Sequence, residues 1–253
     1  MGRKGGRGHL KREASPKFWS IHKKEFTWTV KPIPGPHPLQ QSIPLQIILR
    51  EMLGFAKTRN EVKKILSQGK IFVDGKARYD EHFSAGLMDV ISIPEIKKYY
   101  RLQPSEKGLL LHSITEEESK FKLCRIENKS TLANGHIQLN LHDGRNIMLR
   151  LENSQGSTDD VYQTLDTLKI SLPNQEILEH LKLESGMSAL IIGGKNIGKH
   201  GTIISIDERP EQKRREHLVT IQDEREQTFQ TTLDYIFVIG DKTPRISLLG
   251  MEE

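Results

Sequence analysis

The segment PLQIILREMLGFAKTRNEVKKILSQGKIFVDGK, residues 44–76, determines the predicted fold more than any other part of the chain. After Pro44, apolar residues recur at the spacing of one helical face: Leu45, Ile48, Leu49, Met52 and Leu53. Thr58 and Glu61 then have the spacing of a capping box, in which side chains bond to free amides of the first helical turn. Glycine favours the left-handed conformation that ends a helix. The segment therefore predicts two short helices, ending at Gly54 and Gly69.

A tight β-hairpin is predicted directly after the second helix. Residues 71–73 are apolar and β-prone, Asp74-Gly75 is a typical two-residue turn, and residues 76–79 form the return strand. Val90 to Ile93 is a further strand. Residues 42–96 are therefore predicted to form a compact unit of two helices and short strands.

Basic residues on the free side of this unit point to RNA. Opposite the apolar stripe of the second helix, and around the hairpin, the predicted RNA-binding residues are Arg59, Lys63, Lys64, Lys70, Lys76 and Arg78. A solvated charged face explains any one of these residues about equally well. The six together favour contacts with the phosphates of A-form RNA.

Residues 1–41 are predicted to be a basic N-terminal arm with a proline-rich connector, PIPGPHP, at residues 32–38. Glycines alternate with cations at its start, and aromatic rings alternate with lysines after them. The glycine-rich basic run at residues 2–12 cannot bury a core and should be flexible when free. The rings that follow can stack on bases while the cations meet phosphates. The predicted RNA-binding residues are Arg3, Lys4, Arg7, Lys11, Arg12, Lys17, Trp19, Lys23 and Lys24. The alternative is a solvated tail.

Downstream of residue 96 the pattern is mainly β. In residues 97–180, FKLCRI (121–126) and IQLNL (137–141) alternate in polarity, and Asp143-Gly144 gives a turn signal before a strand at 146–151. Residues 181–253 are predicted to form a small barrel. Its strands are expected at 189–193, 202–206, 218–222 and 235–239.

The turn of this barrel superficially resembles a phosphate-binding loop. GGKNIGKH, residues 193–200, fits the GxxxxGK pattern. However, His200 stands where a Ser or Thr would hold magnesium, and GTIISI predicts a strand instead of the required helix. We interpret the segment as a hairpin turn that contacts RNA through Lys195, Asn196, Lys199 and His200.

Other residues with reactive side chains do not form a recognisable catalytic or metal-binding pattern. His142-Asp143 has no neighbouring nucleophile in sequence and is interpreted as part of a turn. Cys124 lies in strand-like alternation and is interpreted as an inert buried thiol. The ten histidines show no HxxxH or HExxH spacing. We therefore predict no active site, no metal, no cofactor and no small-molecule substrate.

The charge distribution favours a nucleic-acid partner over a membrane. The net charge is +5, and residues 1–36 hold nine Lys or Arg against two acids, whereas residues 111–253 hold seventeen against twenty-three. A phosphate backbone is the simplest partner for such a cationic half. The sequence contains no run of about 20 apolar residues, no secretory signal and only one cysteine, so we expect a cytoplasmic protein.

Several strings resemble the archaeal and eukaryotic-type (e-type) small-subunit ribosomal protein four family, in its archaeal form. They are GRGHLKREASPKFW (6–19), PGPHPLQQSIPLQIILR (34–50), VDGKARYD (73–80), GLMDVISIP (86–94) and, most specifically, IQLNLHDGRNI (137–147). A further string, IIGGKNIGKHGTI (191–203), is similar to the KOW element. The family has a Gly before the Asp of a GDT turn, whereas Leu165 precedes Asp166 here.

The resemblance implies an α+β multidomain fold. Its parts would be the basic N-terminal arm (1–41), an α-L RNA-binding domain (42–96), a central β-rich domain (97–180) and a C-terminal KOW (SH3-like) β barrel (181–253). It also implies ribosomal RNA and neighbouring ribosomal proteins as partners, and no catalysis.

Two alternatives remain open. One is an RNA-modification enzyme, because α-L domains often precede such enzymes, although no GxGxxG cofactor loop lies on a βαβ pattern here. The other is a KOW-containing transcription- or translation-associated RNA-binding factor. That reading leaves the basic helical unit and the string at 137–147 unexplained.

Overall fold

The computed structural model describes residues 8–132, 135–149, 161–207, 213–223 and 225–249. Its first part contains β1 (Leu10–Lys11), β2 (Trp28–Thr29), β3 (Ser42–Pro44), helix α1 (an α-helical turn, Leu45–Ile47, continued by a π-helical segment, Ile48–Met52), α2 (Arg59–Ser67), β4 (Phe72–Val73), β5 (Lys76–Ala77), β6 (Ser84–Gly86) and β7 (Val90–Ile93). No described helix is long and apolar enough to cross a membrane.

The remainder is built from strands. They are β8 (Lys98–Ser105), β9 (Gly108–Ile114), β10 (Phe121–Thr131), β11 (Ile137–Leu141), β12 (Asn146–Leu149), β13 (Thr167–Ser171), β14 (Ile177–Leu181), β15 (Ser188–Ile191), β16 (His200–Asp207), β17 (Leu218–Gln222), β18 (Thr228–Thr232) and β19 (Ile236–Gly240). Short 3-10 turns lie at Leu39–Gln41, Pro94–Ile96, Glu118–Lys120, Arg214–Glu216 and Leu233–Tyr235.

Three five-stranded antiparallel sheets organise these strands. Their orders are β5-β4-β7-β8-β9, β12-β11-β10-β13-β14 and β18-β17-β16-β15-β19. Two smaller sheets pair β1 with β2 and β3 with β6. Each large sheet packs on its own cluster of buried apolar side chains, so the protein has three adjoining cores.

The predicted helical unit is confirmed, including the signals at its ends. The Thr58 hydroxyl accepts a hydrogen bond from the Glu61 amide at 3.3 Å, and the Glu61 carboxylate accepts one from the Lys57 amide at 2.8 Å. Gly69 has a φ of +69° and its amide donates to the Leu66 carbonyl, so it ends α2 as expected. The predicted strand pairing around Asp74 is also present, as β4 and β5.

From residue 8 onwards the arm contributes to a core that the sequence did not predict. Trp19 and Val30 are buried in the same core as α1 and α2. The indole of Trp19 donates a 2.9 Å hydrogen bond to the Ser42 carbonyl, which attaches the arm to β3. The sequence predicted RNA contacts for aromatic side chains of the arm, but some of these side chains are buried in this core.

Strands β8 and β9 form a long hairpin that was not predicted from the sequence. Strand β8 pairs with β7, so the sheet of the helical unit continues past residue 96 to Ile114. Pro104 lies inside β8, and a proline within a run argues against a strand, which is why the hairpin was not predicted. Strands β14 and β18 were also missed.

Leu165 occupies a backbone position that suits glycine. Its φ is +76°, in the region that costs a side-chain-bearing residue about 1 kcal/mol or more. The side chain is 1% exposed and packs in the core beneath the third sheet. Burial of the leucine offsets the backbone strain, which explains how the sequence departs from Gly here.

Candidate nucleic-acid interface

The free face of α2 presents the three predicted cations, Arg59, Lys63 and Lys64, all exposed. Arg59 is not simply a solvated cation, because its guanidinium donates hydrogen bonds of 2.8 and 2.6 Å to the buried carboxylate of Glu81. These bonds raise the pKa of Arg59. Lys63 Nζ lies 3.6 Å from the same carboxylate. Glu81 therefore fixes the orientation of the cationic face.

The hairpin extends this face. Lys76 is exposed, and the guanidinium of Arg78 lies 4.2 Å from the centre of the Phe83 ring. Lys70 forms an exposed ion pair of 2.9 Å with Glu95, so its charge is partly compensated. Beside the hairpin, a polar cleft of about 430 Å³ is lined by three cations and three carboxylates: Lys76, Arg78, Arg145, Asp74, Asp89 and Asp143. Arg145 was not predicted, since an isolated arginine after a turn has no distinguishing pattern.

A buried ion cluster fixes this hairpin against the central sheet. Lys122, with a fully buried side chain, donates to Asp74 at 2.9 Å, to Asp143 at 2.9 Å and to Asp89. Arg145 donates to Asp74 at 2.6 Å. Because Asp74 and Asp89 belong to the helical unit and the other members to the central sheet, the cluster fixes the helical unit against the central sheet.

The pKa values of the cluster members are shifted in different directions. Burial works against ionisation of every member, but Lys122 lowers the pKa of Asp143 to about 2 and also lowers that of Asp89. Burial raises the pKa of Asp74, and the negative charge of the nearby Asp89 raises it further. The three carboxylates raise the pKa of Lys122 well above its usual value, so its ammonium stays charged.

Within the described residues, Cys124, His142 and Asp143 bring three potential metal-ligand atoms within 4.8 Å of one another. The donor set does not suit a cation. Lys122 already neutralises the Asp143 carboxylate, and burial raises the pKa of the Cys124 thiol far above its usual value. The imidazole of His142 lies within hydrogen-bond distance of the Arg125 amide and the Leu87 carbonyl. These contacts agree with the structural roles predicted for Cys124 and His142.

The predicted arm contacts divide into surface and interior. Three of the lysines are exposed: Lys11, Lys17 and Lys24. Lys23 is half-buried, and its ammonium donates a hydrogen bond to the Ser15 carbonyl at 3.2 Å. Trp19 is 3% exposed, so the prediction that it contacts RNA is corrected. Arg3, Lys4 and Arg7 lie outside the described residues.

Arg12 is the second correction in the arm. It is 2% exposed and donates to the His22 and Trp28 carbonyls at 2.6 and 3.3 Å. Its guanidinium is used in holding the arm together, which removes it from direct phosphate contact.

The glycine-rich turn between β15 and β16 is partly buried against other parts of the protein. Lys195 is exposed, whereas Asn196, Lys199 and His200 are half-buried, and Lys199 Nζ lies 3.9 Å from the centre of the Phe229 ring. A Cβ on Gly198 would come within 2.7 Å of the Ser105 Cα. The turn therefore packs against the β8–β9 hairpin. As predicted, a strand and not a helix follows it, which excludes the phosphate-loop geometry.

Comparison with known proteins assigns the family. Family models match residues 4–40 (RS4NT domain), 43–91 (S4 domain) and 96–177 (Ribosomal family S4e). The small ribosomal subunit protein eS4 of Desulfurococcus amylolyticus is 47% identical over 249 residues, covering 98% of each chain. That of Methanocaldococcus jannaschii is 43% identical over 251 residues, covering 98% of this chain and 100% of the relative. The chain belongs to the eS4 family.

A solved structure agrees with this assignment. The crystal structure of 30S ribosomal protein S4e from Thermoplasma acidophilum superposes with a TM-score of 0.64 at 30% identity, covering 79% of this chain and 96% of that one. The resemblance noted in the sequence is thereby confirmed, and the helical unit of the eS4 chain is an S4 domain. The basic face described above is a face of that domain.

Proposed function

We propose that this eS4 chain is a structural constituent of the small ribosomal subunit, that it binds ribosomal RNA, and that it catalyses no reaction. Relatives that match 98% of the chain carry the name of a small-subunit protein. The observation that carries the proposal in the chain itself is the cationic face of the S4 domain, held in place by buried Glu81 and by the Lys122 cluster. Cations held in fixed positions can contact a defined set of phosphates and so fix the orientation of the protein on the RNA.

RNA is proposed to contact three surfaces. The first is the S4-domain face and its cleft, comprising Arg59, Lys63, Lys64, Lys70, Lys76, Arg78 and Arg145. The second is the arm, through Lys11, Lys17, Lys23 and Lys24 together with Arg3, Lys4 and Arg7. The third is the turn carrying Lys195, Asn196, Lys199 and His200. We further propose that residues 181–253 form a KOW barrel built on the third sheet, and that the protein has a cytoplasmic, ribosomal location. The boundary expected between 42–96 and 97–180 is moved to Ile114, where the sheet of the helical unit ends. Neighbouring ribosomal proteins are proposed as further partners.

The test is a charge reversal that spares the internal ion pairs. Lys64 and Lys76 are exposed, whereas replacement of Arg59 would leave the buried Glu81 carboxylate without its main partner. Binding of Lys64→Glu with Lys76→Glu to a small-subunit rRNA transcript is measured between 50 and 200 mM salt. We expect at least a tenfold loss of affinity and a salt slope smaller by about two, one for each lost phosphate contact.

The matched control is Lys182→Glu with Lys242→Glu, which makes the same change in net charge at exposed positions outside the proposed surfaces. It should lose far less affinity. Equal losses in both double variants would mean that only net charge matters. A parent protein whose affinity does not fall with salt would refute RNA binding through phosphates.

A further inference from the structure

The arm exposes two large aromatic rings that the fold does not use. Phe26 is 61% exposed and Trp28 is 54% exposed, although the arm buries Trp19 almost completely. The His9 ring lies 5.4 Å from that of Trp28, tilted by 49°. We call these three residues the aromatic platform. Phe26 is joined to this pair through Arg12, which contacts the Phe26 ring and the Trp28 carbonyl. Exposed apolar side chains that are grouped indicate a binding surface, whereas single ones need no explanation.

Arg12 holds the platform in place from beneath. Its guanidinium lies 5.0 Å from the centre of the Phe26 ring, and its hydrogen bond to the Trp28 carbonyl fixes the backbone of β2. Strand pairing places Lys11 directly opposite Trp28. The buried arginine thus has a positional role: it covers one side of Phe26 and leaves the other for a ligand. A fixed ring loses little conformational entropy when it binds.

The surroundings of the platform select an anionic, flat ligand. Residues 8–31 contain six Lys or Arg against two Glu. Of these cations, Lys11, Lys17 and Lys24 are exposed. Unpaired nucleotides satisfy both requirements, since each base offers a π-face for stacking and each phosphate a negative charge. Bases inside a continuous helix are stacked on each other and cannot offer that face.

We propose that the aromatic platform binds unpaired RNA nucleotides by stacking on their bases, while the neighbouring lysines contact the flanking phosphates. The inference rests on the proposed RNA-binding function and makes it specific: the arm selects for unpaired nucleotides, and the S4-domain face supplies contacts to phosphates. It also reassigns the stacking role from Trp19 to Trp28.

The test compares two RNA hairpins of equal length, one with a fully paired stem and one with a two-adenosine bulge. The full-length parent should prefer the bulged hairpin by roughly 5- to 100-fold for each stacked base. Trp28→Ala should remove most of that preference and leave affinity for the paired hairpin unchanged. Trp28→Phe, which retains a ring, should keep most of it. Leu178→Ala, at another exposed apolar position, should change neither affinity.

Tryptophan fluorescence gives an independent readout. The chain has two tryptophans, and only Trp28 of the two is exposed. Stacking on a base should quench part of the emission of the parent when the bulged hairpin is added. Trp28→Phe, which emits from the buried Trp19 alone, should show no quenching.

The outcomes separate the two proposals. If neither hairpin binds, the proposed RNA-binding function fails. If both bind equally, without quenching, RNA binding stands and the stacking inference is overturned. The inference is also overturned if Trp28→Ala binds both hairpins like the parent but no longer enters small-subunit particles, because a protein neighbour would then cover the platform.

Discussion

Replacement of Lys122 by methionine tests whether the buried ion cluster joins the S4 domain to the central sheet. Methionine retains most of the volume of the lysine stem and removes the ammonium. The buried carboxylates of Asp74 and Asp143 would then keep the guanidinium of Arg145 as their cationic partner. The buried carboxylate of Asp89 would keep the imidazole of His37, 3.1 Å away. Removing one partner of a buried ion pair costs about 3–5 kcal/mol.

The cost of protonating a carboxylate gives a similar loss of folding free energy. The variant can avoid a buried unpaired charge by protonating one carboxylate in the folded state. Keeping an aspartic acid of ordinary pKa about 3.9 protonated at pH 7 costs about 4 kcal/mol, at 1.36 kcal/mol per unit. The loss of folding free energy at pH 7 should therefore be about 4 kcal/mol.

The pH dependence follows from the signs of the shifts. In the parent, the pKa of Asp143 is lowered to about 2, so its contribution to stability is complete above its unfolded pKa and is lost only as the pH falls towards 2. In the variant, the protonated carboxylate has a raised pKa, so its cost grows as the pH rises above about 4. The difference between the two proteins should shrink by about 1.4 kcal/mol per unit from pH 7 towards pH 4.

Urea unfolding followed by circular dichroism at pH 7, 5.5 and 4 measures this difference. Lys120→Met is the matched control, since Lys120 is exposed and lies two residues earlier in the chain. It should cost less than about 0.5 kcal/mol at every pH. A Lys122→Met loss below about 1 kcal/mol at pH 7, or a loss that does not change with pH, would refute the reasoning.

Three further predictions concern other buried groups. Burial lowers the pKa of His142 to about 4, so parent stability should fall by up to about 3 kcal/mol as the pH drops from 6.5 to 4, and His142→Gln should flatten that slope in urea titrations. Gly198→Ala should lower the free energy of unfolding by about 2 kcal/mol or more, because its Cβ would meet the backbone of Ser105; Gly135→Ala, which shares the positive φ but has nothing within 4 Å, should cost about half as much. Burial raises the pKa of the Cys124 thiol, so a thiol reagent should modify it only in unfolded protein, and rapid labelling of the native state at pH 8 would contradict its placement.

Local signals allowed the S4 domain to be predicted. The Thr58–Glu61 cap, the Gly69 stop and the Asp74-Gly75 turn each act within a few residues, and each is present in the structure. The same holds for the Asp143-Gly144 turn between β11 and β12. Hydrogen bonds and backbone conformations of this kind depend on sequence neighbours, so sequence spacing is enough to predict them.

Long-range contacts could not be predicted in this way. Lys122 lies 48 residues from Asp74 and 33 from Asp89, and no periodicity connects them. The sequence marks Arg12 and Trp28 equally as arm residues, yet one is buried and the other exposed because of how the chain folds back at β1 and β2. Only tertiary packing decides whether an aromatic or basic side chain is buried in a core or exposed to a ligand.

The proposed role of this chain is that of an RNA-bound constituent of the small ribosomal subunit. The most direct measurement is gradient fractionation of a native lysate, with RNA crosslinked to the tagged protein and sequenced. We predict that the protein sediments with small-subunit particles, and that crosslinks from the S4-domain face, the arm and the turn at 195–200 fall in small-subunit rRNA. A free, slowly sedimenting protein crosslinked to scattered transcripts would contradict it.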